Sequence, residues 1–344
     1  MRARYNLACG GSKILQLEEA KLTSPRFGLP PSRFFPRRYK ASNIDSWTGH
    51  LAFANDLIAA IQPKLIVELG THFGEAYFTF CQAVEEQRLP CVCYAVDHWL
   101  GDDHAGHYGE DVYQDVASYN ECHYRHFSYL LRRNFDDARP QFADDSIDLL
   151  HIDGLHTYEA VSHDFRSWLP KVSKGGIVLL HDTCPRHQDF GVWRFWEEVK
   201  AEFTDTFEFH HSWGLGVVRK PGGTKDSPLT DFLFASSEEV REDVRRHYVI
   251  YASHLEDVLG PEVAERNAVA ARLESLASEV KVMTAARDAA QGELERKDEM
   301  LELAEHRLYQ IQHSLSWKVT EPVRRFMTAL RSGRPRRATG SNGR

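Results

Sequence analysis

Residues Ile147 to Thr183 read IDLLHIDGLHTYEAVSHDFRSWLPKVSKGGIVLLHDT. Ile147 to Ile152 is a short, mostly apolar run that ends in Asp153 and Gly154. A segment with helical character follows, from Tyr158 to Leu169, and Pro170 to Gly176 reads as a loop. A second apolar run, Ile177 to Leu180, ends in His181 and Asp182. The pattern is strand, helix, strand, with an acid at the carboxyl end of each strand. In an open parallel sheet those ends share one edge, and ligands bind along it. Asp153, His156, His181 and Asp182 are therefore expected to converge.

Upstream, Leu65 to Leu69 (LIVEL) is a buried strand by its apolar, β-branched run. Gly70-Thr71-His72-Phe73-Gly74 turns the chain into a helix from about Glu75 to Glu86. Glycines at such a turn let the backbone approach a ligand closely. The spacing is neither G-x-G-x-x-G nor the Walker pattern. Glu68 is an acid inside an apolar strand. It needs partners there: the turn amides or a ligand's ammonium group. Val92 to Val96 is the next strand, and Asp97 at its tip is placed either to bind ribose hydroxyls or to cap the following element. The loop from His98 to Glu110 is rich in Gly, His and Asp and is read as substrate-facing; its histidines lack the spacing of a closed zinc site.

Before the first strand, Asn43 to Ile61 shows helical apolar spacing, and Trp47 and His50 are placed to pack on the sheet or to overhang the site. After the central unit, Phe127 to Leu131 belongs to the set as a third strand and Asn134 to Ala138 as a turn or short helix. Gly191 to Phe203 reads as a helix, and Phe207 to His211 with Leu215 to Arg219 as a hairpin. The expectation is a doubly wound α/β sheet closed by an antiparallel hairpin.

The chain has 344 residues, 42% hydrophobic and 27% charged, with a net charge of −8. That supports a real core and argues against a general nucleic-acid footprint. Six cysteines are scattered without a CxxC pair, as in a reducing cytoplasm. No signal-peptide core or run of about 20 apolar residues is present, so the expected location is cytoplasmic, with the inner face of the cell membrane as a peripheral address.

Five regions follow. Residues 1–40 form a basic, Pro-rich lead-in, and 41–222 the α/β domain. Residues 223–262 are a linker and helical segment. Residues 263–316 carry heptads, with Leu273, Val280, Arg287, Leu294, Leu301, Leu308 and Leu315 every seventh position and Leu276, Met283, Ala290, Lys297, Ala304 and Ile311 between them. This predicts a coiled coil, with Arg287 and Lys297 in its seam setting register or strand number. Residues 317–344 are a basic amphipathic tail, suited to an anionic membrane surface or to solvent.

Chemistry at the sheet edge starts from hard oxygen ligands. Asp153 and Asp182 suit Mg²⁺, which is commonly held by one or two carboxylates. His156 lies three residues past Asp153 and can take a proton from a hydroxyl. A metal that held the same hydroxyl would lower its pKa. The alternatives are a helix cap for Asp153 and a satisfied surface histidine for His156.

Glu68-Leu-Gly70-Thr71, Asp97 and the closing hairpin resemble a class I S-adenosylmethionine-dependent methyltransferase. The wording HIDGLHTYEAVSHDFRSWLPKVSKGGIVLLHDT, with WTGHLAFA and DHWLGDDHAGHYGEDVY upstream, is similar to a bacterial subgroup related to macrocin-type sugar O-methyltransferases. The resemblance covers about residues 41 to 220 and implies a Rossmann-like, seven-stranded sheet. It implies that Glu68, Gly70, Thr71 and Gly74 line the methionine end of S-adenosylmethionine and Asp97 its ribose, with Asp153 bordering the same cofactor. Asp153 and Asp182 match metal-ligand positions and His156 the base position. One departure is His181, where macrocin-type enzymes carry Glu; Thr183 or water would then complete the metal shell, or His156 would act without metal.

HSLSWKVTEPVRRF is similar to a short segment at the ends of bacterial polysaccharide glycosyltransferases and their partner proteins, often after a coiled coil. Together the resemblances imply an O-methyltransferase acting on a sugar hydroxyl in surface polysaccharide. The coiled coil would join copies of the chain or dock a glycosyltransferase. The alternatives are a non-catalytic scaffold with a methyltransferase-like domain, and a nicotinamide-dependent oxidoreductase, against which the missing G-x-G-x-x-G counts.

Overall fold

The computed structural model describes residues 34–37, 47–102, 104–187, 189–223 and 226–332. Most of the lead-in, the start of the segment from Asn43, and the tail beyond Ser332 lie outside these residues. Two compact units are present, one ending at Asn267 and one beginning at Ala268.

In the first unit, seven strands form one sheet: β1 (Leu65–Leu69), β2 (Val92–Asp97), β5 (Ser128–Arg132), β6 (Ile147–Ile152), β7 (Val172–His181), β8 (Thr206–Phe209) and β9 (Leu215–Arg219). The order is β5-β2-β1-β6-β7-β9-β8. The first five run parallel, and β9 pairs antiparallel with both β7 and β8. This is the expected Rossmann-like, doubly wound sheet with its closing hairpin. The order steps outward from β1 to β2 and β5, then returns to β6. The switch point therefore falls between β1 and β6, where such sheets bind ligands.

Alternation along the strands divides the core into two layers. Ile66 and Leu149 face α1 (Leu51–Ile61) and α2 (Glu75–Glu86). Val67, Leu69, Leu150 and Ile152 face α5 (Tyr158–Trp168) and α6 (Val192–Glu202). Thr157 caps α5, its hydroxyl accepting from the Ala160 amide at 3.2 Å, a contact worth about 1 kcal/mol.

Several boundaries differ from the sequence reading. α1 starts at Leu51, after a 3-10 turn over Thr48–His50. Val172 to Gly176 is strand rather than loop, because Val172 already pairs with Ile147 across a register shift. The 98–110 loop folds into a small hairpin of β3 (Gly101–Asp102) and β4 (Gly106–His107). α3 (Glu110–His123) follows it, where the sequence pattern gave no element; only Val112, Val116 and Asn120 are buried along it, so its apolar stripe is thin. α4 (Phe135–Ala138) is a single turn.

The sheet domain does not stop at residue 222. A helix α7 (Pro228–Phe234) is capped by Ser227 and Thr230 in a reciprocal box. Leu229 and Leu233 join the same buried cluster as α1, as do Val244, Tyr248 and Leu255 from the start of α8 (Glu238–His313). Residues 34–37 also dock rather than hang free: Phe34 is buried, and the Arg37 amide donates to Gln82 Oε1 at 2.9 Å.

In the second unit α8 continues to His313. Ser314 breaks the run, and its hydroxyl accepts from the Trp317 amide at 3.1 Å to start α9 (Leu315–Ser332). The heptad series is thus interrupted before Leu315, which belongs to the next helix. Leu273, Val280, Met283, Leu294, Leu301, Leu308 and Ile311 are exposed along α8.

Candidate active site

Two constellations meet at the carboxyl edge of β1, β6 and β7. The first is the turn after β1. Gly70 has φ +85°, and a Cβ there would lie 2.0 Å from the Asp153 carbonyl oxygen. Glycine is required because the end of β6 presses against the turn. Gly74 has φ +79° and immediately precedes α2.

The turn is held by its own bonds. Asp97 Oδ2 accepts from the amides of Thr71 (2.8 Å) and His72 (2.9 Å), and Oδ1 accepts from Trp99 at 2.6 Å. The Gly70 amide donates to the Val96 carbonyl and the Gly74 amide to the Thr71 carbonyl. Asp97 is thus a cap for the turn as well as an acid at the strand tip. With these amides committed, the turn offers no ready cradle for a pyrophosphate.

Glu68 and His151 stand directly opposite each other in the β1–β6 register, so both face the α1–α2 side. His151 Nδ1 lies 2.9 Å from Glu68 Oε1, and both are buried. Burial pushes the Glu68 carboxyl well above its ordinary range, with Asp153 and Asp97 adding to the rise against an opposing Thr71 hydrogen bond. Burial also pushes His151 down, to about 4. The pair shares its proton on the carboxyl side and avoids two buried charges. His151 was not singled out by the sequence reading; the signal was a lone imidazole inside the central strand, IDLLHI.

The second constellation is the convergence expected from Asp153, His156, His181 and Asp182. His156 Nε2 lies 2.8 Å from Asp182 Oδ2 and 3.4 Å from Asp153 Oδ1. His181 Nδ1 lies 3.1 Å from Asp182 Oδ2 and 3.4 Å from Asp153 Oδ1. Each imidazole bridges both carboxylates. Asp182 takes up this position in a left-handed conformation, φ +61°, which Asp tolerates better than most residues.

Burial alone would lower the His156 pKa, but its hydrogen bonds to Asp153 and Asp182 outweigh that and raise it to about 10. His181 is likewise penalised by burial and lifted well above its ordinary value by Asp182 and Asp153. Burial would raise the two carboxyls, yet the histidines hold Asp153 well below and Asp182 below the usual range. The carboxylates thus favour the protonated form of both imidazoles, and a cation held by Asp153, Asp182 and His181 would displace the proton from His181 Nδ1. His156 is therefore proton-loaded in this arrangement and is not a free base.

Around the cluster, His181 Nε2 lies 3.2 Å from the Ser212 carbonyl, which fixes Nε2 as a donor. Asp153, Asp182 and the Nδ1 of His181 then form a three-donor group that could hold a cation, their atoms within 4.8 Å of one another. Asp182 Oδ1 is buried with no hydrogen-bond partner among the described residues, as expected of an oxygen with a further ligand to take. His181 therefore supplies a donor where the resemblance left a gap. Trp47 stacks on His181 at 5.6 Å and meets His151 edge-on at 4.8 Å, joining the two constellations. His50 Nε2 lies 3.2 Å from the same Ser212 carbonyl. The 98–110 loop brings His104 over the site, parallel to His156 at 5.5 Å and to Phe190 at 4.5 Å, with its Nε2 2.6 Å from Asp189 Oδ1. Phe190, parallel to His156 at 5.0 Å, had no sequence signal beyond being apolar near a turn.

Residues 67–183 match a family model described as a methyltransferase domain; that stretch holds Glu68, the Gly turn, Asp97 and all four members of the cluster. An uncharacterized protein of Sinorhizobium fredii is 46% identical over 173 residues, half of this chain. The chain spans only 19% of that relative's length. Among solved structures, the O-methyltransferase NovP aligns over 51% of this chain and 80% of its own, at 17% identity and a TM-score of 0.41. The O-methyltransferase TomG from Streptomyces achromogenes, solved in complex with S-adenosylmethionine, aligns over 49% of this chain and 78% of its own, at 17% identity and a TM-score of 0.38. Likeness at that level adds no weight to the fold or the site, which stand on the topology and geometry above.

Proposed function

We propose that the chain is an S-adenosylmethionine-dependent O-methyltransferase, and that its acceptor is a hydroxyl of a sugar in bacterial surface polysaccharide. The observation that carries the first half is the placement, within the segment similar to methyltransferase domains, of Glu68, a self-bonded Gly turn, Asp97 and Asp153 at the β1/β6 switch point. Spent turn amides disfavour a dinucleotide pyrophosphate, and the carboxyls of Glu68, Asp97 and Asp153 beside the turn offer acceptors for an ammonium group and for ribose hydroxyls. S-adenosylmethionine, when bound there, supplies the electrophilic methyl group. Glu68 would face its ammonium group, Gly70, Thr71 and Gly74 would line its methionine end, and Asp97 would meet its ribose.

Transfer forms an oxygen–methyl bond as the sulfur–methyl bond breaks, and the hydroxyl proton must leave. His156 would take that proton once Asp153 and Asp182 are engaged elsewhere, because those carboxylates favour its protonated form. Asp153, Asp182 and His181 Nδ1 would hold a divalent cation, which would supply charge that acidifies and orients the acceptor hydroxyl. One nitrogen and two carboxylates favour Mn²⁺, Fe²⁺ or Zn²⁺ over Mg²⁺. The Ser212 carbonyl keeps His181 in the tautomer such a site needs.

The sugar assignment and the polysaccharide setting rest on the sequence resemblances alone. The exposed seam of α8 supports self-association through a coiled coil, a second copy being its simplest complement.

The test is transfer of labelled methyl from S-adenosylmethionine to bacterial glycans and nucleotide sugars, with and without Mn²⁺, for the wild type and His156→Gln. Label on a sugar oxygen that disappears in His156→Gln supports the assignment. Cofactor binding without transfer to any acceptor turns the weight to a non-catalytic scaffold.

A further inference from the structure

We infer that α9 is a surface-seeking helix that lies flat on an anionic lipid bilayer. The inference stands apart from the proposed reaction and rests on the helix itself. Projected at about 100° per residue, Leu315, Val319, Pro322, Val323, Phe326, Met327 and Leu330 fall on one continuous side. Six of these, all but Pro322, are half or more exposed. No described side chain covers them.

The cations are not scattered over the remaining surface. Arg324 and Arg331 flank the apolar side along one edge, and Lys318 and Arg325 along the other. Glu321 alone carries negative charge, lies opposite the apolar side, and is tied to Arg325 at 2.8 Å. Trp317 sits beside Arg324, whose guanidinium lies 3.6 Å over its ring. An apolar strip with a positive rim on both edges complements acyl chains beneath anionic headgroups. The same rims would oppose each other if this face met itself in a second copy, so lipid is the occupant that satisfies both features. No helix among the described residues is long and apolar enough to cross a membrane, so the predicted mode is adsorption.

The experiment is co-sedimentation of the full chain with vesicles of phosphatidylcholine alone or mixed with phosphatidylglycerol. Two double variants are compared, Phe326→Ser with Leu330→Ser and Arg324→Gln with Arg331→Gln, each checked for S-adenosylmethionine binding and helix content. The expected result is binding to the mixed vesicles only, weakened by salt. The serine variant should lose it, and the glutamine variant should bind about tenfold or more weakly, with cofactor binding unchanged in both. Equal binding to neutral vesicles, no binding to anionic ones, or binding indifferent to Phe326→Ser with Leu330→Ser would overturn the inference. So would a lipid-free oligomer, measured by sedimentation velocity, that only the serine variant dissociates.

Discussion

His156 Nε2 lies 2.8 Å from Asp182 Oδ2, although one residue begins the chain's path into α5 and the other follows the end of β7. The contact keeps the imidazole positioned and, with Asp153, keeps its proton in place. Replacing Asp182 by Asn should leave the fold intact but remove a proposed cation ligand and misorient His156. Methyl transfer is expected to fall roughly 10²- to 10⁴-fold, with S-adenosylmethionine affinity changed little. Steady-state kinetics beside calorimetric binding separates these effects; a parallel loss of both would place Asp182 in cofactor binding.

Glu68 is proposed to face the ligand's ammonium group while sharing a proton with His151. Glu68→Gln retains a hydrogen bond to His151 and abolishes the acid. S-adenosylmethionine affinity should fall about tenfold or more, the size of one charge-assisted hydrogen bond. Urea stability at neutral pH should hold or rise, because a buried ionisable group is gone. Reduced stability with unchanged affinity would make Glu68 purely structural.

His181 is the departure that would give the proposed cation site its character. His181→Asp should shift the preferred activating ion from Mn²⁺ toward Mg²⁺, since the donor set becomes all oxygen. Mn²⁺ binding followed by electron paramagnetic resonance should weaken in the same variant. An unchanged spectrum and unchanged ion preference would remove His181 from the site.

Asp164 is a buried acid on α5 beneath Gly154, outside the proposed chemistry. Burial raises its pKa from 3.8 to about 7, with Asp136 adding to the rise and His163 opposing it. Between pH 4 and 7 the unfolded chain has already lost this proton while the native chain keeps it, so stability falls as pH rises through that window. Asp164→Asn should remove a penalty on the order of 4 kcal/mol at pH 8 and leave pH 4 little affected. Urea unfolding of both proteins at the two pH values reads the difference; equal slopes would show that Asp164 ionises normally.

Leu294 and Leu301 lie one heptad apart on the exposed seam of α8. Wild type is predicted to sediment as an oligomer, and Leu294→Asp with Leu301→Asp as a monomer, while methyl transfer per chain persists. A wild-type monomer would leave the seam to another partner.

Where one rule dominates, sequence was enough. LIVEL gave β1 because a parallel strand buried on both faces must be continuously apolar, and the Gly turn gave the start of α2. The four-residue cluster was legible for a topological reason: parallel strands deliver their carboxyl ends to one edge. What escaped depended on packing across distant segments. His151 means nothing until register sets it opposite Glu68. The state of His156 could not be read from its spacing to Asp153, because Asp182 contributes the shorter contact. Asp97 was weighed as either a ribose ligand or a cap, and its carboxylate already binds three amides. Leu229 to Leu259 reads as helical in sequence, but its place in the sheet domain does not show there, because its apolar residues face α1, a partner nearly two hundred residues earlier.

The most direct measurement is calorimetric titration of the full chain with S-adenosylmethionine and, separately, with NAD⁺. The account predicts micromolar binding of S-adenosylmethionine, weakened by Glu68→Gln, and no response to NAD⁺. Binding of NAD⁺, or no binding of S-adenosylmethionine, would contradict it.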